Sequence, residues 1–130
     1  MKYAILGIGQ AGLRHYESFK KIKKIKLVGF TEFDKSKAIN FQKKNQIKHY
    51  NNLDDILKLK VDFVVIALPH NQRFQPIIKC IKNNVNLLIE KPLTKDLKEL
   101  IKILPLLKKN KLIHSISFVH RYRKEVIETN

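Results

Sequence analysis

The opening segment limits the possible fold more than any other part of the chain. Lys2 to Ile8 is largely apolar, contains β-branched residues and runs into glycine, which reads as a short strand buried on both faces. Within "ILGIGQAGLRH", Gly7, Gly9 and Gly12 follow as G-x-G-x-x-G. From Gln10 to about Lys21 the spacing of Leu13, Tyr16 and Phe19 suits a helix, with Arg14, Lys20 and Lys21 off that face. Three glycines at these spacings serve any tight turn. A strand before them and a helix after them are the context that makes the triplet a phosphate-binding turn.

The same rhythm repeats along the chain. Ile25 to Phe30 reads as a strand, Ser36 to Lys44 as a helix and Lys48 to Tyr50 as a short strand. Asn52 is placed to cap a helix whose first turn carries Asp54 and Asp55. Val61 to Leu68 is a strand ended by Pro69, and Asn71 with Pro76 in an early turn suits a helix reaching about Asn83. Val85 to Glu90 is a strand stopped by Lys91 and Pro92. Thr94 then caps a helix with Leu97, Leu100, Ile101 and Leu104 on one face, and a kink or break is expected at Pro105. Leu112 to His120 reads as a sixth strand, with residues 121–130 helical or frayed. Strands alternating with helices need crossover connections, so the chain predicts an α/β fold, a doubly wound parallel sheet of about six strands. At 130 residues it suits a single domain.

Composition narrows the classes further. Hydrophobic residues at 44% and charged residues at 29% are globular proportions, which excludes a disordered or fibrous chain. No apolar run is long enough to span a membrane, and "YAILGIG" is too short for a signal core, so a cytoplasmic protein is expected. Cys80 is the only cysteine, so no internal disulfide or cysteine metal cluster can form. A net charge of +16 raises nucleic acid as a partner. The lysines are spread along most of the chain, however, and arginine occurs only at positions 14, 73, 121 and 123, which argues against a nucleic-acid reader.

Parallel sheets bind ligands at the carboxyl ends of their strands, which directs attention to where the strands stop. Gly7 would make the tight turn, Gly9 would admit a pyrophosphate to the backbone, and Gly12 would let helix and strand pack closely. Free N–H groups around Gln10 and Ala11 would meet the phosphate charge. Glu32, at the end of the next strand, is placed to accept hydrogen bonds from ribose hydroxyls and to repel a 2′-phosphate, so NAD is expected over NADP. Lys35 and Lys37 lie close enough to soften that preference. At the later strand ends stand Leu68 and Pro69, followed by His70, and then Glu90, Lys91 and Pro92. Lys91 is a cation suited to polarising a substrate oxygen or relaying a proton.

These segments together resemble the N-terminal domain of the Gfo/Idh/MocA family of sugar and inositol dehydrogenases. The resemblance is carried by "GIGQAGLRH", "VDFVVIALPHNQ", "IEKPLT" and "SFVHRYR", in the family's order and over nearly the whole chain. It implies a Rossmann-type NAD(P)-binding domain over residues 1–120, with 121–130 opening the connection to a C-terminal substrate domain that this chain lacks. It implies hydride transfer between nicotinamide and a hydroxyl-bearing carbon of a sugar or cyclitol, with Lys91 as the catalytic residue and Leu68, Pro69 and Glu90 among those holding the cofactor. Pro92 would follow a cis peptide bond. The family's histidine shortly after the strand-end proline is replaced here by Arg73. Because the substrate domain would hold the substrate and exclude water, a non-catalytic dinucleotide-binding module and a truncated inactive fragment stand as alternatives. An unpaired face left by that domain would favour self-association into a homo-oligomer.

Overall fold

A computed structural model describes residues 1–122 and 127–128 of the chain. Strands β1 (Lys2–Leu6), β2 (Lys26–Thr31), β3 (Phe63–Ile66), β4 (Asn86–Glu90) and β5 (His114–Ser117) alternate with helices α1 (Gln10–Phe19), α2 (Lys35–Asn45), α3 (Leu53–Leu57), α4 (Phe74–Lys82) and α5 (Leu97–Lys109). The strands form one parallel sheet in the order β2-β1-β3-β4-β5.

The sheet has five strands rather than about six. The third expected strand, Lys48–Tyr50, is reduced to one parallel bridge between Phe30 and His49. The chain has no room to extend it, because Asn52 already caps α3 by accepting a hydrogen bond from the Asp55 N–H. With that bridge counted as an outermost strand, the order becomes 3-2-1-4-5-6, the arrangement of doubly wound dinucleotide folds.

Alternation along the strands builds two cores. Ala4, Leu6, Val64, Ile66 and Leu87 pack with Ile56, Ile77 and Ile103 from α3, α4 and α5. Tyr3, Ile5 and Val65 pack with Phe30, Ala38 and Phe41, and Tyr16 and Phe19 of α1 cover them. The central strands are therefore covered on both faces, which explains their unbroken apolar runs.

The C-terminal third departs from expectation in detail. Asp96, not Thr94, caps α5: its carboxylate accepts from the Glu99 N–H at 2.9 Å, and the Thr94 hydroxyl donates to the Asp96 carbonyl. The buried face is also different. Ile103 is fully buried with Leu106 and Leu107 packed beside it, whereas Leu97, Ile101 and Leu104 are exposed. No break occurs at Pro105, because the helix runs through it to Lys109. Burying a residue of Ile103's size contributes about 1.5–3 kcal/mol, the same order as the roughly 3 kcal/mol that an internal proline costs. The last strand is shorter than Leu112–His120 and gives way to a 3-10 turn at Val119–Tyr122. The helical or frayed reading of 121–130 falls largely outside the described residues. Among the described residues no helix is long and apolar enough to cross a membrane.

Candidate cofactor site

The strand order reverses between β1 and β3, so a crevice opens where these two strands end. Gly7 leaves β1 with φ of +85°, a conformation that L side chains rarely adopt. Gly12, in the first turn of α1, lies so close beneath it that a Cβ there would stand 2.0 Å from the Gly7 carbonyl oxygen. Gly9 differs from both. It caps α1 with φ of −65°, and a Cβ placed on it would meet nothing within 4 Å among the described residues. Neither backbone strain nor packing inside the protein requires glycine there, whereas a ligand approaching the backbone would. The first intrahelical bond runs from the Leu13 N–H to the Gly9 carbonyl, leaving the amides of Gln10, Ala11 and Gly12 without intrahelical partners. Among the described residues no side chain caps this helix. The turn thus offers donors, a helix dipole and open space, which is what an anionic pyrophosphate needs.

Glu32 stands on the next strand end, and its carboxylate accepts hydrogen bonds from the Ile8 N–H and the Asp34 N–H, both at 3.0 Å. One residue therefore fixes the glycine turn and keeps acceptor capacity for ribose hydroxyls. A cleft of about 470 Å³ runs between these elements, lined by Gly7, Gly9, Glu32, Lys37, Leu68 and Pro69 among others. A second hollow of about 370 Å³ continues past Glu32 and Phe33 to Asn52, Leu53 and Pro76. Five of the expected residues meet in the first cleft, and Gln10 lines the adjoining groove between α1 and α2.

Glu90 and Lys91 lie apart from that lining. Glu90 is buried, and its carboxylate turns toward α1, where His15 Nε2 lies 2.7 Å away. Lys91 is exposed at the end of β4, and the Lys91–Pro92 peptide bond is cis, as the resemblance implies. Between the ends of β3 and β4 sits Arg73, only 6% exposed. Its Nε donates to the Leu68 carbonyl at 2.7 Å, and its Nη1 donates to the carbonyls of both Glu90 and Pro92. Burial lowers the Arg73 pKa, and the nearby Glu90 charge acts in the opposite direction.

Sequence reasoning named neither His15 nor Arg73 as structural partners of Glu90. "HNQR" reads as a polar surface turn, and beyond the departure from the family's histidine the one available signal is the use of arginine itself. In a chain with four arginines against many lysines, the planar multi-donor head is kept where several acceptors must be met at once.

Comparison with known proteins agrees with this geometry. The sequence matches the oxidoreductase family with an NAD-binding Rossmann fold, Gfo/Idh/MocA, over residues 1–118. No curated protein matches the chain by sequence. Among solved structures, the WlbA dehydrogenase of Chromobacterium violaceum, determined with NADH and UDP-GlcNAcA, superposes with a TM-score of 0.90 at 16% identity, covering 98% of this chain and 38% of that one. The UDP-N-acetylglucosamine 3-dehydrogenase of Acidithiobacillus ferrooxidans gives 0.88 at 22% identity, covering 99% and 42%. Myo-inositol 2-dehydrogenase of Lactobacillus plantarum gives 0.89 at 23%, covering 99% and 41%. The chain spans about two fifths of the length of these proteins, and at such identities the likeness establishes the fold. With the family matched over nearly its whole length and the glycine turn, acid and cleft in place, the chain belongs to the Gfo/Idh/MocA oxidoreductases as their NAD-binding Rossmann domain.

Proposed function

We propose that residues 1–120 form the cofactor half of a dehydrogenase acting on a sugar or cyclitol, and that 121–130 open the connection to a substrate-holding domain. NAD, when bound, supplies the hydride acceptor or donor. The residues of this chain bind and orient it. The amides of Gln10 and Ala11, with Gly7, Gly9 and Gly12 shaping the turn, receive the pyrophosphate, and Glu32 accepts from the adenosine ribose. Leu68 and Pro69 form the opposite wall. Lys91, carried beside Glu90 at the end of β4, holds or delivers the proton that accompanies hydride transfer at the substrate hydroxyl.

The observation that carries the reading is Gly9, a glycine that the protein's own packing does not require, at a helix N-terminus open to the cleft. Calorimetry with NAD and NADP tests it. The chain is expected to bind NAD and to prefer it over NADP. Glu32→Ala should weaken NAD by about 10- to 100-fold, the loss of a charge-assisted hydrogen bond of about 1.5–3 kcal/mol, and should narrow the gap to NADP. Absence of NAD binding at millimolar concentration would sink the proposal.

A further inference from the structure

We infer that Arg73 is the positioning residue for Lys91, and through it for the nicotinamide half of the cleft. The inference rests on the reading of Lys91 given above and extends it to Arg73, which lines the cleft and bonds the backbone on both sides of Lys91. Lys91 is exposed, so its place is set by the backbone that carries it. The carbonyls on either side of it, those of Glu90 and Pro92, both accept from Arg73 Nη1. The same guanidinium reaches the cleft wall through Nε and the Leu68 carbonyl. One side chain thus joins the end of β3 to the segment bearing Lys91.

The chemistry suits arginine and not the histidine expected at this position from the family resemblance. A guanidinium offers five donors in a fixed plane, enough to meet three carbonyls in different directions, whereas an imidazole offers at most two. Burying the cation is partly offset by these acceptors and by the opposite charge of Glu90. Glu90 in turn is held by His15 on the helix that begins at the glycine turn. The pyrophosphate turn and the Lys91 segment are therefore linked through His15, Glu90 and Arg73.

Binding of NAD compared with ADP tests the inference, because ADP carries the adenosine and both phosphates without the nicotinamide riboside. Arg73→Met is expected to weaken NAD by about tenfold or more and to change ADP by less than about twofold. Arg73→Lys, which keeps the charge and loses the fork, should fall between the parent and Arg73→Met, and it carries the same comparison if Arg73→Met fails to fold. Lys91→Met alone should weaken NAD by about as much as Arg73→Met, and on that background Arg73→Lys should cost no more than about twofold further, since its effect passes through the residue already removed. Equal losses of NAD and ADP would show that Arg73 serves the phosphates or general stability and would overturn the inference. So would an undiminished additive loss in the double variant, or unchanged NAD binding in Arg73→Lys and Arg73→Met. A parent chain that binds neither ligand overturns the cofactor reading itself, and this inference with it.

Discussion

At the carboxyl end of the sheet the chain presents helix N-termini, the glycine turn and most of its acids, including Glu32, Asp34, Asp54, Glu90 and Asp96. At the amino end it presents helix C-termini and dense lysine: Lys20, Lys21, Lys23 and Lys24 between α1 and β2, Lys58 and Lys60 before β3, and Lys108, Lys109 and Lys111 before β5, all exposed. The asymmetry follows from topology. In a parallel sheet every crossover helix points the same way, so its dipole favours anions at one end of the molecule and cations at the other. Asp34 and Asp96 cap their helices at the first end, and Lys43, Lys44, Lys108 and Lys109 fill last turns at the second. The net charge of +16 is thus weighted toward the end away from the cleft, and it describes a different surface from the one that would bind a dinucleotide. Charge belongs to one end and conformational demand to the other.

Three variants probe that division, beginning with the largest effect. Gly12→Ala drives a methyl into the Gly7 carbonyl, where only 2.0 Å is available. It should cost about 3 kcal/mol or more and lower Tm on the order of 10 °C, together with NAD affinity. An unchanged melting curve would mean that α1 can slide away from β1. Gly9→Ala, three residues earlier in the same turn, separates binding from folding: stability should move by no more than about 1 kcal/mol, while NAD affinity falls about tenfold. If thermal shift and calorimetry show the two properties falling together, the open space at Gly9 is not reserved for a ligand. The smallest effect belongs to the lysine end. Replacing Lys21 and Lys23 with glutamate should change stability by less than about 0.5 kcal/mol and, at physiological salt with a Debye length of about 8 Å, leave NAD affinity within about twofold. A larger change in titrations at that salt would join the two ends that the fold separates.

Much of this arrangement was legible before any coordinates, because its determinants are local. The glycine spacing, the strand before it and the acid at the next strand end can each be read within a short window, and Asn52 announced α3 in the same way. Local signals failed where neighbours in space decide. Thr94 and Asp96 are both acceptable caps, and the choice fell to the residue from which the helix departs. In α5 the stripe Leu97, Ile101 and Leu104 has good helical spacing, yet the sheet covers Ile103 instead. The strand at Lys48–Tyr50 shrank to one bridge because α3 begins at once.

The sequence by itself determined the order of elements, the parallel sheet, the turn at Gly7 to Gly12 and the place of Glu32, since backbone conformation and hydrophobic alternation are short-range properties of the chain. Only the tertiary structure decided which groups Arg73, Glu90 and His15 bond. Glu90 and His15 are 75 positions apart, and Arg73 is 17 from Glu90. Nothing in their own segments distinguishes a linked, largely buried polar cluster from three solvated polar residues. Their roles came from the crossovers that set the ends of β3 and β4 and the first turns of α1 side by side, where a charge withdrawn from water must find its partners within the protein.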